Sequence, residues 1–265
     1  MDSTAPLLST VSDGVATLTF NRPDSLNALD LATKEALLHA LGEVGTDDAV
    51  RVVVLTGSAR AFCVGQDLKE HIGAISTGDI EAVWRTVPDH FNPIATLIAE
   101  MDKPVIAAVN GVAAGAGASL AFLADYRLVA ESAGFNLAFA QIALSCDTGS
   151  SWTLPRLVGP TRAMDLLLNP RTITSAEALD WGIASEVVAD DAFAGRLAEL
   201  AGTLAQGPTA AYAAMRHSVR NAASSDLAGA LAYEAEMMRR TGASADHQAA
   251  VEAFLAKQRP SFTGR

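Results

Sequence analysis

The chain has 265 residues, of which half are apolar, and its 30 acidic residues outnumber its 19 basic ones, giving a formal net charge of -11. This charge argues against nucleic acid or an anionic membrane surface as a partner, because both attract basic proteins. The length and the apolar content suffice for one large hydrophobic core, so we expect a single main domain with at most a helical appendage.

The first elements predicted along the chain are a hairpin, a helix and a strand. Residues 7–20 alternate in polarity around the turn at 12–14, which predicts a β-hairpin. From Asp30 to Val44, apolar residues recur at helical intervals, and residues 51–56 are rich in β-branched side chains, as a strand requires.

Helices and strands continue to alternate in the middle of the chain, which is typical of an α/β fold. We expect a loop at 61–67, a long helix at 80–101, a strand at 104–109, a helix at 117–124, and strands at 126–130 and 134–139. The long helix should carry Trp84, Phe91, Ile94 and Leu97 on its inward side.

The last third of the chain is predicted to be mainly helical. Thr174 and Glu177 have the spacing of a capping box at the start of a helix. Residues 183–188 form one more strand, and helices fill 190–258.

The two cysteines and the hydropathy pattern bear on the compartment. Cys63 and Cys146 lack the spacing of a metal site, so we expect both to be reduced and no metal to be bound. No apolar run reaches the roughly 18 residues that a membrane helix needs, and the first residues lack the features of a signal peptide. We therefore expect a soluble, cytoplasmic protein without a membrane partner.

One segment combines a buried strand with a glycine-rich helix start. The apolar strand 105–109 leads to Gly115 and Gly117, which stand directly before helix-forming residues. The free N–H groups at a helix start attract negative charge, and glycines let a ligand come close to the backbone. A tight packing turn without a ligand would also explain both glycines. A third glycine and a Lys-Ser/Thr pair are missing, so dinucleotide and P-loop sites are disfavoured.

Three motifs resemble the crotonase (enoyl-CoA hydratase/isomerase) superfamily. They are Phe-Cys-Val-Gly-Gln-Asp-Leu at 62–68, Lys-Pro-Val-Ile-Ala-Ala-Val-Asn-Gly at 103–111 and Gly-Ala-Gly at 115–117. Segments at 21–29, 180–183 and 253–257 extend the resemblance over nearly the whole chain. It implies an α/β fold, the crotonase-type ββα spiral, with a C-terminal helical region. The spiral core would span 1–200, and a helical trimerisation region at 201–265 would form a homotrimer or a dimer of trimers.

The resemblance also implies an acyl-CoA thioester as the substrate. It implies no separate cofactor, because coenzyme A is part of that substrate. The matching positions place an oxyanion hole at the backbone N–H groups of Gln66 and Ala116. Removing a proton beside a thioester puts negative charge on its oxygen, and each preorganised N–H donor stabilises that charge by roughly 3 to 4 kcal/mol.

The residues that would move protons depart from the pattern of family hydratases, which carry two glutamates. The resemblance places Ser119 and Gln141 at those positions, and neither side chain is a carboxylate base. Asp147 matches an aspartate of isomerase-type and dehalogenase-type relatives, which implies that Asp147 is the catalytic residue. From the residues alone, Asp147 is also a good N-cap for a helix around Ser151.

The resemblance assigns further residues to coenzyme A. Ser25, Leu26 and Val64 match positions in loops that contact the coenzyme. Phe254 and Lys257 match a C-terminal motif that reaches the neighbouring subunit in relatives. We therefore expect these five residues to bind coenzyme A.

Four aromatic residues are candidates for the substrate pocket: Trp84, Phe91, Phe139 and Trp152. Burial among them would raise the pKa of a catalytic carboxyl group toward the working pH. An ordinary place in the hydrophobic core is the alternative explanation for all four.

The resemblance therefore implies an acyl-CoA isomerase that forms a thioester enolate and either moves a double bond or rearranges a ring epoxide. One alternative is another crotonase-type enzyme, either hydratase-like or aryl-CoA dehalogenase-like. A dehalogenase would need a histidine, and Asn92 stands near the expected position with His90 two residues earlier. A non-catalytic acyl-CoA binder is the other alternative.

Overall fold

The computed structural model describes residues 4–76, 78 and 80–265. The strands are β1 (Leu7–Ser12), β2 (Val15–Phe20), β3 (Val52–Gly57), β4 (Ala61–Cys63), β5 (Val105–Val109), β6 (Val112–Ala114), β7 (Tyr126–Ala130), β8 (Gly134–Asn136), β9 (Ile173–Thr174) and β10 (Glu186–Val188). The helices are α1 (Leu31–Thr46), α2 (Leu68–Ser76), α3 (Ile80–Trp84), α4 (Asn92–Glu100), α5 (Ala116–Leu123), α6 (Ser150–Val158), α7 (Pro160–Leu168), α8 (Ser175–Asp180), α9 (Phe193–Ala205), α10 (Thr209–Ala222), α11 (Leu227–Gly242) and α12 (Ala245–Leu255).

The strands form two sheets. The larger sheet has the order β1-β2-β3-β5-β7-β10, and only its β1–β2 pair is antiparallel. The smaller sheet has the order β4-β6-β8-β9, with β4, β6 and β8 parallel. In each of the pairs β3–β4, β5–β6 and β7–β8, the first strand joins the large sheet and the second joins the small one. This repeated arrangement confirms the expected α/β spiral.

Strand β5 lies at the centre of the hydrophobic core. All five of its residues are fully buried, as expected for a parallel strand that is covered on both faces. Just before it, the Lys103 ammonium donates hydrogen bonds to the carbonyls of Val44 and Asp47 at the end of α1. A cation in this place satisfies free carbonyls and the negative end of the helix dipole.

Several predicted elements are confirmed at their ends. The β1–β2 hairpin turns at residues 13–14, and the Asp30 side chain caps α1 by accepting from the Thr33 N–H at 2.9 Å. The capping box of Thr174 and Glu177 is present at the start of α8.

The long helix expected at 80–101 is divided. The structure has α3, then a single π-type turn at Val87–Phe91, then α4. Pro88 and Pro93 lie in this region, and a proline removes one helical hydrogen bond and clashes with the preceding turn. As a result Trp84 is 41% exposed and does not point inward as predicted, whereas Phe91 and Ile94 are buried.

The strand predicted at 134–139 is shorter than expected. Strand β8 ends at Asn136, and residues Ala138–Ile142 form a 3₁₀ turn. The short strands β4, β6 and β9 were not predicted, because two or three residues are too few to show a periodic pattern. The loop expected at 61–67 therefore begins with strand β4.

The C-terminal helices follow the last strand. Helix α9 packs against β2, β3 and β7, so the predicted boundary at residue 200 falls inside a helix of the core. Arg216 of α10 pairs with Asp125 at 2.7 Å and donates to carbonyls at the end of α4. None of the helices in the described ranges is long and apolar enough to cross a membrane.

The end of the chain folds back onto the core in an arrangement that we call the tail clamp, formed by Asp246, Arg51 and residues 262–264. Asp246 is 4% exposed and accepts hydrogen bonds from the N–H groups of Thr263 and Gly264 at 2.7 and 2.8 Å. Arg51 donates to the carbonyl of Phe262 at 2.9 Å. The clamp thereby joins α12, the chain end and the start of β3.

Candidate active site

The N-terminus of α5 lies beside strand β4 at the end of the buried β5 segment. Gly115 precedes the helix with a φ of 49°, a backbone conformation that favours glycine. A Cβ on Gly117 would lie only 2.0 Å from the carbonyl oxygen of Cys63. Gly117 therefore permits close packing of α5 on β4, and Gly115 sets the direction in which the Ala116 N–H points.

The second loop of the predicted oxyanion hole runs next to this helix start. Gly65 has a φ of 84°, and a Cβ built on it would lie 3.0 Å from the backbone nitrogen of Ala116. Leu29 donates to the Gly65 carbonyl at 2.8 Å and accepts from the Asp67 N–H at 3.0 Å. In such a parallel bridge the N–H of the residue between them, Gln66, points away from Leu29.

Both N–H groups are available to a ligand. Among the described residues, no acceptor is hydrogen-bonded to the backbone N–H of Gln66 or of Ala116. Free N–H groups at a helix start and in an adjacent loop are the donors that a developing oxyanion requires. The fold therefore brings the two predicted oxyanion residues together.

The Gln66 loop is held in place by a buried ion pair. Asp67 is 6% exposed and accepts from Arg22 at 2.8 Å, and the same arginine pairs with Asp30 at 3.1 Å. Asp67 also caps α2 by accepting from the Lys69 N–H at 2.9 Å. Burial alone would raise the pKa of Asp67, but the hydrogen bonds from Arg22 and the backbone outweigh it and lower that pKa.

Asn27 fixes the loop that contains the predicted coenzyme residues Ser25 and Leu26. Its amide donates to the carbonyls of Ser58 and Ala61 at 3.0 and 2.7 Å, and its carbonyl oxygen accepts from the Arg22 N–H. Ser25 and Leu26 themselves are partly exposed, as is Val64 in the neighbouring loop. These three residues are thus accessible from solvent, as coenzyme contacts would have to be.

Asp147 lies in the turn that precedes α6. Helix α6 begins after Gly149 without any side-chain cap, so the carboxylate of Asp147 does not serve as the N-cap that its sequence context suggested. The carboxylate is partly buried and accepts a hydrogen bond from the Thr148 hydroxyl at 2.9 Å. Burial raises the pKa of Asp147, and the hydrogen bond from Thr148 opposes only part of that shift. None of the ion pairs between described residues involves Asp147.

Ser119 connects the helix of the oxyanion hole to the turn of Asp147. Its side chain is fully buried, donates to the Gly115 carbonyl at 3.1 Å and shares a short hydrogen bond with the Ser150 hydroxyl. The Ser150 N–H in turn donates to the Asp147 carbonyl at 3.0 Å. The resemblance matched this position to a carboxylate of family hydratases. Here it holds a serine whose hydroxyl makes structural hydrogen bonds.

Gln141, the other position matched to a hydratase glutamate, lies on the protein surface. It is exposed, and its amide contacts the Pro170 carbonyl at 3.4 Å. Phe139, two residues earlier, is the buried residue of the same 3₁₀ turn. Gln141 is thus poorly placed to share a site with Ser119. Phe139, the residue of this turn that points inward, is not a carboxylate either.

A cavity of 370 Å³ opens beside the Gln66 loop. It is lined by Leu31, Lys34, Gln66, Glu70, His71, Val83, Arg85, Thr86, Asp89 and His90. His90 lies close enough to Thr86 for a long contact of 3.4 Å between its Nδ1 and the hydroxyl. A histidine is therefore near the candidate site, although not at position 92.

The four predicted pocket aromatics occupy different environments. Phe91 and Phe139 are buried in the core, as the alternative explanation held. Trp84 is partly exposed and contacts the His71 ring edge-on, with 5.3 Å between the ring centres. Trp152 lines a separate cavity of 1210 Å³ under the C-terminal helices and stacks with Arg156.

The C-terminal coenzyme candidates lie on the surface of the chain. Phe254 is 80% exposed at the end of α12, and Lys257 follows it with an exposed side chain. The described hydrogen bonds and ion pairs do not connect the Lys257 side chain to the loop of Ser25 and Leu26. Their exposure leaves both residues accessible to a neighbouring subunit, as the resemblance implied.

Three residues that matter for the site were missed by the sequence analysis. Asn27 was read only as part of a motif, and Asp67 could have been recognised from the Asp-x-x-Glu spacing before α2. Lys34 shares a helix face with the fully buried Leu37 and Leu41, and a charged residue on such an apolar stripe is a visible signal.

Comparisons with known proteins identify the family and confirm the fold. A family model for enoyl-CoA hydratase/isomerase matches residues 10–265. The chain is 40% identical over 259 residues to the 1,2-epoxyphenylacetyl-CoA isomerase of Escherichia coli (strain K12), which covers 98% of both chains. It is 42% identical over 255 residues to a Rhodobacter capsulatus protein named as an enoyl-CoA hydratase, which covers 96% of both chains.

A solved structure shows the same fold. The crystal structure of an enoyl-CoA hydratase/isomerase from Mycobacterium abscessus is 42% identical, has a TM-score of 0.94, and covers 98% of this chain and 100% of that chain. Relatives at this identity include proteins named as an isomerase and as a hydratase, so the family does not decide the reaction. The chain is nonetheless a member of the enoyl-CoA hydratase/isomerase family and thus an enzyme of the crotonase superfamily.

Proposed function

We propose that this protein is an acyl-CoA isomerase in which Asp147 is the single acid and base. The observation that supports this most directly is the partly buried carboxylate of Asp147, which among the described residues neither pairs with a cation nor caps a helix. It stands in a turn hydrogen-bonded through Ser150 and Ser119 to the helix that starts at Ala116. Side chains left free in this way near a helix start are candidates for chemistry.

The proposed reaction uses the two backbone donors throughout. Asp147 takes a proton from C2 of a 3-enoyl-CoA, and the electron pair moves onto the thioester oxygen, which accepts from the N–H groups of Gln66 and Ala116. The carboxyl of Asp147 then returns the proton at C4 as the electron pair moves back, leaving the double bond between C2 and C3. Rearrangement of a ring epoxide would use the same stabilised thioester and the same carboxylate.

A raised carboxyl pKa suits this dual role. A group that first accepts and then donates a proton works best when its pKa lies close to the operating pH. The environment of Asp147 raises its pKa in that direction. Ordinary hydration is disfavoured, because the hydroxyl of Ser119 is engaged by Ser150 and does not replace a second carboxylate.

The coenzyme is proposed to lie across the loops of Ser25, Leu26 and Val64, with Phe254 and Lys257 supplied by a neighbouring subunit. The proposed assembly is a homotrimer or a dimer of trimers. The high exposure of Phe254 at the end of α12 supports a contact outside its own chain.

The test compares Asp147→Ala and Asp147→Asn with wild type on 3-enoyl-CoA, 2-enoyl-CoA and phenylacetyl-derived CoA esters. Loss of a general acid or base should reduce kcat by roughly 10² to 10⁴, and deuterium from solvent should no longer exchange into C2. Asp191→Asn, an exposed aspartate, serves as the matched control and should retain full activity. An Asp147→Ala enzyme with undiminished isomerase activity would refute the proposal.

The same screen separates the alternatives. A hydratase would incorporate solvent oxygen into product, and a non-catalytic binder would bind acyl-CoA with no turnover in any variant. An aryl-CoA dehalogenase would release halide from a 4-halobenzoyl-CoA, and the position of His90 in the cavity beside Gln66 is the observation that keeps this reaction in the screen.

A further inference from the structure

Lys34 is a charged residue in a place where the helix pattern calls for an apolar one. It lies on the inner face of α1, is 2% exposed, and its ammonium is 5.6 Å from the centre of the Phe91 ring. Burying an ammonium group is costly unless its protons are bonded. The residues on the same stripe, Leu37 and Leu41, are ordinary core residues.

All three ammonium protons of Lys34 have acceptors. The nitrogen is 2.7 Å from the Thr86 hydroxyl, 3.0 Å from Gln66 Oε1 and 3.4 Å from Glu70 Oε1. Burial lowers the pKa of Lys34, while Glu70 and the nearby Asp30 and Asp67 oppose that shift. The ammonium is thus part of a complete polar cluster that extends to the oxyanion loop.

The oxygen and the nitrogen of the Gln66 side-chain amide both contact this cluster. Its oxygen accepts from Lys34, and its amide nitrogen is 3.4 Å from Glu70 Oε1. Glu70 also accepts from the Leu31 N–H at 2.7 Å, which anchors the cluster to the start of α1. Gln66 is the residue whose backbone N–H is proposed to bind the thioester oxygen, so restraining its side chain also restrains that donor.

We propose that Lys34 is a positioning residue of the thioester site, which holds Gln66 and places a buried positive charge beside the oxyanion loop. The inference rests on the proposed oxyanion hole and adds to it a specific side chain. Positive charge near the loop favours the enolate over the neutral thioester, because charge develops only after proton removal. Lys34 therefore contributes to kcat more than to substrate binding.

The test uses Lys34→Met, which keeps the length of the side chain but removes its charge and hydrogen bonds. We expect kcat on the isomerised substrate to fall roughly tenfold, less than the 10² to 10³ typical of losing an oxyanion donor itself, with KM nearly unchanged. Lys69→Met, on the exposed side of α2, is the matched control and should behave as wild type.

A spectroscopic measurement reports on the site without turnover. Cinnamoyl-CoA has no C4 proton to move, and polarisation of its thioester carbonyl by an oxyanion hole shifts its near-ultraviolet absorption to longer wavelength. We expect saturated wild type to show this shift, Lys34→Met to show a smaller one, and Lys34→Arg to restore most of it. A purely structural role of Lys34 would lower stability and leave the shift unchanged.

Gln66→Met provides a second route if Lys34→Met does not fold, because it removes the link to Lys34 and keeps the backbone N–H. It should lose a similar part of the shift, whereas an unchanged shift and kcat in either variant would overturn the inference. The absence of any shift in wild type would also overturn it. If wild type shows the shift and Asp147→Ala remains an active isomerase, the assignment of Asp147 fails and the role of Lys34 stands.

Discussion

At the scale of single residues, the candidate site separates groups that are satisfied from groups that are free. Ser119 is fully buried with both of its hydrogen-bond partners inside the protein. Asp147 lies in the turn before α6. Among the described contacts, its carboxylate accepts a side-chain hydrogen bond only from the neighbouring Thr148. A partly buried carboxylate without a cation destabilises the folded state when it is ionised, so its presence needs a reason other than stability.

This reasoning predicts a stability gain from Asp147→Asn. Burial raises the pKa of Asp147 in the folded state, so its carboxyl group contributes to stability at a pH below its pKa in the unfolded chain. That contribution is lost as the pH rises through the pKa of the folded state. The free energy of unfolding of the variant should therefore exceed that of wild type by on the order of 1 kcal/mol at pH 8. Near pH 3 the two should not differ. Urea titrations across pH check this, and a variant less stable than wild type at pH 8 would contradict it.

At the scale of elements, loops set the site more than helices do. Asn27 ties the loop at 22–30 to the end of β3 and the start of β4, with a left-handed φ of 58°. Arg22 and Asp67 extend this tie to the Gln66 loop. The position of the loop that contains Ser25 and Leu26 therefore depends on one buried asparagine, and this loop contacts the Gln66 loop through Arg22.

Replacement of this asparagine should separate its two contributions. We expect Asn27→Gly to lose the hydrogen bonds at a cost of about 2 kcal/mol, and Asn27→Ala to cost about 1 kcal/mol more, because alanine is strained at positive φ. Equilibrium unfolding in urea measures both. Equal stability of the two variants would show that the backbone conformation relaxes after the side chain is lost.

The elements also show what a sequence reveals. The hairpin, α1, β5 and the capping box of α8 were predictable, because each has a strong local pattern with a defined start or end. The division at Val87–Phe91 was missed, since apolar spacing continued through Pro88 and Pro93. Likewise the oxyanion residues came from motifs. The sequence shows Lys34 as a charged residue on an apolar stripe, but its contacts with Gln66 and Thr86 join residues 32 and 52 positions apart and leave no local pattern.

At the scale of the whole molecule, the tail clamp connects the C-terminal helices to the spiral. Arg51 and Asp246 together bind the Phe262 carbonyl and the N–H groups of Thr263 and Gly264. Burial would raise the pKa of Asp246, but these hydrogen bonds outweigh it and lower that pKa. The clamp therefore stabilises the protein more when Asp246 is ionised than when it is protonated.

Asp246→Asn should reveal this dependence. Because the pKa of Asp246 is lowered in the folded state, its carboxylate contributes to stability at a pH above its pKa in the unfolded chain. That contribution is lost as the pH falls through the pKa of the folded state. We expect the variant to be about 2 kcal/mol less stable at pH 7 and to approach wild type in acid. Asp48→Asn, which alters an exposed partner of Arg265, is the control and should match wild type throughout. A pH-independent deficit in Asp246→Asn would contradict the role of its charge.

The proposed use of main-chain donors at Gln66 and Ala116 would have a consequence for how such enzymes diverge. A mutation that deletes a side chain does not delete a backbone N–H, so a duplicated gene that lost its acid–base residue would, under this proposal, still encode a protein with both thioester donors. Selection can then act on new side chains around an unchanged point of activation. In this way the reaction can change through a series of intermediate proteins, each of which remains folded and able to bind the thioester.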